Sequence, residues 1–303
     1  MRIKSLSHSS ANNYEICPWK YFLVYQLGFE DVGGPASVLG NIAHTVLEIL
    51  SRASMLKHDP NSKVWNINWL MEKTYNHYMR KKPEIVSSIQ SDKLKKVSKG
   101  IADLLNSEYT PIRDNTIGIE FRFGIQLKEP KFSIKRKEDG ELQYLQLNGF
   151  IDRIDKIDDK TIEIIDYKTG KRETWGSTEK KKKDAGDLFL DMQPRLYHLA
   201  AKEKFPWAEN IIVTFIYMVD GGAISVPFTD EDIETTKDMI SRKFRAIQAN
   251  EDPQRIYGNW MCRFCTFYKD ETCQSVWDEK NEFGSEYVLN KYTVLNYKVK
   301  KGR

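Results

Sequence analysis

The chain has 303 residues, 40% of them hydrophobic and 12% aromatic, with 47 Lys and Arg against 43 Asp and Glu. That composition buries a core, and with only 17 Gly, 10 Pro and 4 Cys it excludes disordered, collagen-like and disulfide-scaffold classes. No apolar run reaches the ~18 residues a membrane helix needs, and the N-terminus lacks the apolar core of a signal peptide. The expectation is a soluble, intracellular protein without a membrane partner, whose net charge of +4 permits an anionic ligand.

Helices come first. Ser9, Ser10 and Asn12 can start one, and Pro18 suits a fresh helical start just after Cys17. Gly33-Gly34-Pro35 reads as a loop, and residues 36–50 then carry apolar side chains at helical spacing. Residues 55–110 place Trp, Leu and Tyr at helical intervals between lysines and read as a helical insertion. The period then changes, with alternating strands predicted over 117–127, 143–151 and 161–167 and an apolar strand over 211–219. A helix is predicted over 187–202 and another over 230–249. The division is one domain with four zones: 1–54 N-terminal helices, 55–115 insertion, 116–228 α/β core, and 229–303 C-terminal helix, cysteine cluster and basic tail. Strands followed by a helix and a strand indicate a mixed β-sheet flanked by helices.

Two stretches carry chemistry, Gly149-Phe150-Ile151-Asp152-Arg153 and Asp166-Tyr167-Lys168-Thr169-Gly170. Each puts an acid at or beside the end of an apolar strand, and alternation points Asp166 and Lys168 the same way. Carboxylates on neighbouring strands suit Mg²⁺ or Mn²⁺, and a lysine beside them can orient water or stabilise charge on a phosphate. A salt-bridged strand end is the plain alternative. His44 and Glu48 stand one helical turn apart, as do Gln193 and Tyr197. After the second stretch come Lys171, Arg172 and Lys180 to Lys183 around Trp175, either a solvated loop or a grip on a phosphate backbone.

In this order, Gly40-x3-His44-x3-Glu48, Gly149-x2-Asp152-Arg153, Asp166-Tyr167-Lys168 and Gln193-x3-Tyr197 resemble the RecB-like branch of the PD-(D/E)XK nuclease superfamily. The resemblance implies a restriction-endonuclease-like α/β core in which His44, Asp152 and Asp166 bind the catalytic metal. It implies a further ligand in the Tyr167 carbonyl, a catalytic Lys168, and Gln193 and Tyr197 lining the site and positioning nucleic acid. Glu48 is implied as support for the site or for Lys168.

The four cysteines are Cys17, Cys262, Cys265 and Cys273. Their grouping suits one four-thiolate site, and spacing leaves zinc and a 4Fe-4S cluster both open. The Cys17-Pro18 context with three late cysteines resembles the iron–sulfur members of that branch: CRISPR-associated exonucleases, the AddB nuclease domain and phage relatives. That resemblance implies a 4Fe-4S cluster closing the two ends of the chain around the core. The activity implied is a metal-dependent DNA exonuclease acting on single strands or duplex ends in replication, recombination or repair. No phosphate-binding Gly-x4-Gly-Lys-[Ser/Thr] motif is present, so a partner would supply any motor, and a helicase, single-strand-binding or recombination protein is the partner class that the resemblance implies. A dormant nucleic-acid-binding subunit and a zinc-stabilised interaction protein are the rival readings.

Overall fold

The computed structural model describes residues 3–135, 140–172, 181–220 and 222–301, with side chains as far as Thr293. In chain order the elements are β1 (Ser5–Leu6), α1 (His8–Ile16), α2 (Pro18–Tyr21), a π-helical turn (Phe22–Gln26) and α3 (Pro35–Met55). Next come α4 (Ile67–Lys81), α5 (Pro83–Ser87), α6 (Ser91–Leu105), β2 (Thr116–Gln126), β3 (Ser133–Lys135), β4 (Leu142–Tyr144), β5 (Gln146–Lys156) and β6 (Thr161–Lys168). The remainder is α7 (Ala185–Leu190), α8 (Met192–Lys204), β7 (Asn210–Tyr217), β8 (Ala223–Phe228), α9 (Asp232–Ala249), α10 (Thr266–Lys269), α11 (Thr272–Phe283) and α12 (Ser285–Lys301). None of the described helices is long and apolar enough to cross a membrane.

The chain divides into two compact units. One, residues 35–124 and 149–236, is built on a mixed sheet in the order β5-β6-β7-β8, with β2 also paired to β5. Strands β5 and β6 are antiparallel, with Arg153 opposite Ile165 and Ile154 opposite Ile164. Strands β6 and β7 are parallel and joined through α7 and α8, the helical crossover that a parallel pair requires. Helix α3 begins at Pro35, whose missing N–H is no loss at a helix start, and buries Ile42, Val46 and Leu50 completely. Each such side chain contributes about 1.5–3 kcal/mol of burial. Together with α4, α5 and α6 it packs on the sheet face carrying Ile165, Tyr167 and Ile216.

The other unit joins residues 1–34, 125–148 and 237–303, so the two ends of the sequence share one core. Strand β1 runs parallel to the first residues of β5, and β3 pairs antiparallel with β4. Trp19, Phe22, Leu23 and Leu27 pack with Phe267, Val276 and Val288.

Three expectations need correction. The strand predicted over 143–151 is two, β4 and β5, and β5 continues to Lys156, so Asp152 lies within a strand rather than at its end. The helix predicted over 187–202 is broken at Asp191, whose extended backbone ends α7 and whose side chain accepts the Gln193 N–H to start α8. The strand predicted over 211–219 ends at Tyr217, after which the chain turns into β8.

Gly100 marks the closest approach of the helical layer to the sheet. A Cβ there would lie 2.2 Å from the Met218 carbonyl oxygen, a backbone atom that cannot rotate aside. Gly100→Ala gains about 1 kcal/mol of helix propensity but meets overpacking of about 1–3 kcal/mol, and the backbone clash places it at the upper end. Urea denaturation is expected to show a lower midpoint for Gly100→Ala; an equal or higher midpoint contradicts this packing.

Candidate active site

Asp152 holds the site together. Its Oδ1 lies 3.2 Å from His44 Nδ1, and its Oδ2 accepts the Tyr167 backbone N–H at 2.8 Å. One carboxylate thus ties α3 to β6. Gly40 sits one turn before His44, and a Cβ there would lie 3.5 Å from Thr169 Oγ1, so α3 runs close beside the exit of β6.

Asp166 is buried, and its Oδ1 accepts from the Tyr197 hydroxyl at 2.8 Å and Gln193 Nε2 at 2.9 Å. Its Oδ2 lies 2.7 Å from Lys168 Nζ as an ion pair but accepts no aligned hydrogen bond. The ammonium donates instead to Gln193 Oε1 at 2.8 Å and stands 4.4 Å from the centre of the Phe215 ring. Gln193 therefore touches Asp166, Lys168 and Tyr197 at once, so it fixes the two charged groups relative to each other.

Neighbouring residues on the two strands serve the opposite face. Arg153 and Asp155 are fully buried and lie 3.1 Å apart, and Thr116 donates to Asp155 at 2.8 Å. Arg153 Nη1 donates to the Thr110 carbonyl at 2.9 Å and to the Tyr167 hydroxyl at 2.8 Å. Alternation thus sends Asp152 and Asp166 towards the site while Arg153 and Tyr167 anchor the strands to the layer behind.

The structure adds Glu120, which the sequence analysis did not single out. Ligand atoms of His44, Glu120 and Asp152 lie within 4.8 Å of one another, the sole such metal-capable group among the described residues. Glu120 has φ +47, a left-handed conformation that costs a residue with a side chain about 1–2 kcal/mol. Along β2 the buried positions are Thr116, then Phe123 and Ile125, so the alternation changes phase around Glu120, as at a bulge. The kink aims a carboxylate that regular pleating would not. A lone acid in an alternating strand gives no such signal in sequence. Glu48, by contrast, accepts from Arg52 Nε at 2.8 Å and acts on Glu120 through its charge.

The electrostatics describe a site short of positive charge. Burial opposes the charged His44 imidazole, yet Asp152, Asp166 and Glu120 outweigh it and raise its pKa to about 9. Burial, with Asp152 beside it, lifts Glu120 to about 7 despite His44. Asp166 is also raised, by burial first and by Asp152, against the pull of Lys168. Two carboxylates and an imidazole, with the Asp166 oxygen lacking an aligned donor nearby, match the donor set of a divalent cation such as Mg²⁺ or Mn²⁺.

In the other unit, Cys17, Cys262, Cys265 and Cys273 are all thiols and line one cavity of about 100 Å³. Cys17 precedes α2, Cys262 lies in the turn Trp260–Phe264, Cys265 precedes α10 and Cys273 opens α11. Burial and then the neighbouring Cys17 and Cys265 push the Cys273 thiol up to about 11, with Cys262 adding to the same repulsion. Arg172 is fixed by Lys183 and Asp220, and Lys181 pairs with Asp184. Trp175 and Lys180 lie outside the described residues.

The sign of the pH dependence follows from these shifts. With His44 raised from 6.5 to about 9, its contribution to stability is complete below pH 6.5 and is lost as pH rises to about 9. Glu120, raised from 4.5 to about 7, likewise favours the fold when protonated and loses that contribution as pH rises through this range. In EDTA, the urea midpoint is expected to fall between about pH 6.5 and pH 9, and less steeply in His44→Gln. Equal slopes in the two proteins contradict the His44–Asp152 pairing.

Comparison with known proteins gives the following. The chain is similar to the crystal structure of a candidate exonuclease from Eubacterium rectale, at 12% identity and a TM-score of 0.49, covering 86% of this chain and 87% of that one. It is similar also to the structure of a protein designated SSO0001, at 14% identity and a TM-score of 0.32, covering 76% and 92%. No curated protein matches. The PD-(D/E)XK nuclease superfamily matches over residues 5–273, a stretch that contains every side chain of the site above and all four cysteines. The chain therefore belongs to the PD-(D/E)XK nuclease superfamily.

Proposed function

We propose that the chain is a divalent-metal-dependent DNA exonuclease acting on single strands or duplex ends, in replication, recombination or repair. The observation that carries this reading is the Asp166–Lys168 pair at 2.7 Å beside the metal-capable group His44, Glu120 and Asp152. Superfamily membership makes the activity a nuclease; the preference for DNA ends rests on the resemblance of the motifs to the RecB-like branch.

His44, Asp152 and Glu120 would hold the cation, with Asp166 adjoining them. Such an ion, when bound, supplies Lewis-acid polarisation of a phosphate oxygen and a more acidic water. The protein's own groups do the rest. Lys168, held by Asp166 and Gln193, is placed to donate to a water or to a phosphate oxygen as charge develops there. Tyr197 and Gln193 hold Asp166 in place, so the buried carboxylate needs no reorganisation during the reaction. Arg153, through Tyr167, keeps the strand that carries both catalytic residues in position.

For the four cysteines we propose a 4Fe-4S cluster that ties α2 to the C-terminal segment. Its support is the shared cavity together with the iron–sulfur motif pattern. Cys17, Cys265 and Cys262 all oppose ionisation of the buried Cys273, and a bound metal would favour its thiolate. Zinc and a 4Fe-4S cluster both accept four thiolates.

Asp166→Asn and Lys168→Ala are each expected to lower cleavage of end-labelled DNA in Mn²⁺ by about 10²-fold or more while the urea midpoint stays near wild type. EDTA is expected to abolish cleavage. Full activity in either folded variant overturns the assignment. A panel of single- and double-stranded DNA and RNA read at both labelled ends gives the polarity, and exclusive cleavage of RNA contradicts the DNA reading. The cluster is checked by metal analysis: about four irons per chain with visible thiolate-to-iron absorbance supports it, and one zinc without iron rules it out.

A further inference from the structure

Strands β6 and β7 are parallel and end together, with Asp166 opposite Phe215 and Lys168 opposite Tyr217. Open α/β sheets bind ligands outside the carboxyl ends of such strands, and this edge carries two groups that the mechanism above leaves unused. The first is Tyr217. Its register places it on the face of Asp166 and Lys168, it is 4% exposed, and among the described residues nothing hydrogen-bonds to its hydroxyl. Burial, then the Asp166 and Asp191 charges, push this phenol up to about 12 against the pull of Arg172, so it stays a hydrogen-bond donor. The second is Arg172, four residues past Lys168. Its backbone N–H donates to Asp220 at 2.8 Å and its Nε to the Lys183 carbonyl at 2.7 Å. The Met218 N–H donates to the Lys168 carbonyl at 3.0 Å, so the exits of β6 and β7 are bound to each other.

The guanidinium is oriented but not spent. Among the described residues its two terminal nitrogens have no hydrogen bond and no ion pair. Gly222, at φ +90, has no side chain to cover them, and a Cβ there would lie 3.7 Å from Nη1. The carboxylates around this edge are engaged elsewhere. Asp220 accepts the Arg172 N–H, Asp191 accepts the Gln193 N–H, and Asp184 and Asp187 cap α7 for each other. We propose that Arg172 and Tyr217 bind the phosphate next to the scissile one, the guanidinium fork meeting its two non-bridging oxygens and the phenol donating to one of them. A fork held at Nε with both terminal nitrogens presented matches two phosphate oxygens in one plane. Lys168 serves the reacting phosphate, and Arg172, further along the same strand exit, serves its neighbour. The inference rests on the nuclease reading for the reacting phosphate, and it adds a subsite that selects a polynucleotide over an isolated phosphodiester.

The test uses the full chain and an end-labelled DNA strand of about 15 nucleotides in which one internal phosphate is replaced by a neutral methylphosphonate. In Mn²⁺ the wild type is expected to cleave the bond beside the neutral phosphate about 10-fold more slowly than the same bond in the unmodified strand. Arg172→Gln is expected to cleave that bond in both strands at one equally reduced rate. Arg172→Lys keeps the charge without the fork and is expected to fall between the two. Tyr217→Phe keeps the buried ring, so it folds if Arg172→Gln does not, and is expected to lose about 3- to 10-fold. In EDTA, anisotropy of the unmodified strand is expected to give a salt slope lower by about 0.7 in Arg172→Gln. A folded Arg172→Gln that slows beside the methylphosphonate as the wild type does, or a Tyr217→Phe at the wild-type rate, overturns the proposal. A wild type that binds with this slope difference yet cleaves nothing overturns the nuclease reading and leaves the phosphate contact standing, so the two failures are distinguishable.

Discussion

The geometry of the candidate site depends on how one carboxylate spends its two oxygens. Asp152 uses one on His44 and the other on the Tyr167 N–H, so a helix, a strand and the next strand over are set by a single side chain. The antiparallel register of β5 and β6 makes this possible, because Arg153 opposite Ile165 brings Asp152 opposite Asp166 at the next step. Strand alternation then does two jobs in adjacent residues. Asp152 and Asp166 face the reaction side, whereas Tyr167 packs into the layer of α3 to α6 and Arg153 reaches back to the Thr110 carbonyl.

Such an arrangement is expensive without a cation. Glu120, Asp152 and Asp166 crowd into a space where His44 and Lys168 are the nearby positive groups, and burial raises both Glu120 and Asp166. Glu120 adds backbone strain at φ +47. Strain and uncompensated charge held at one place are characteristic of a functional site rather than of a structural one. The buried Arg153–Asp155 pair balances one charge of each sign at 3.1 Å, and Thr116, Thr110 and Tyr167 hydrogen-bond to it.

Much of this was legible in the sequence, for reasons that differ by residue. Asp166 and Lys168 follow from the two-residue period of a strand, and Gln193 and Tyr197 from the helical one; the structure brings all four together. The mixed sheet flanked by helices followed from the change of period near residue 116. Glu120 was not legible, because its role comes from a left-handed backbone that leaves no mark on composition. The break at Asp191 was hidden because the residues on both sides keep helical spacing, and only the side-chain cap reveals it. Strand β8 went unread because Ala223 to Phe228 is short and contains Pro227, a residue that argues against a strand unless it lies at an edge.

The central claim is that His44, Glu120 and Asp152 form a cation site next to Asp166 and Lys168. Crystals grown in Mn²⁺ and measured at the manganese absorption edge test it most directly. The account predicts an anomalous peak bonded to the His44 imidazole and the Asp152 carboxylate, with Glu120 or Asp166 completing the ligands. A protein with these side chains in place and no manganese among them, at a concentration that supports cleavage, would contradict it.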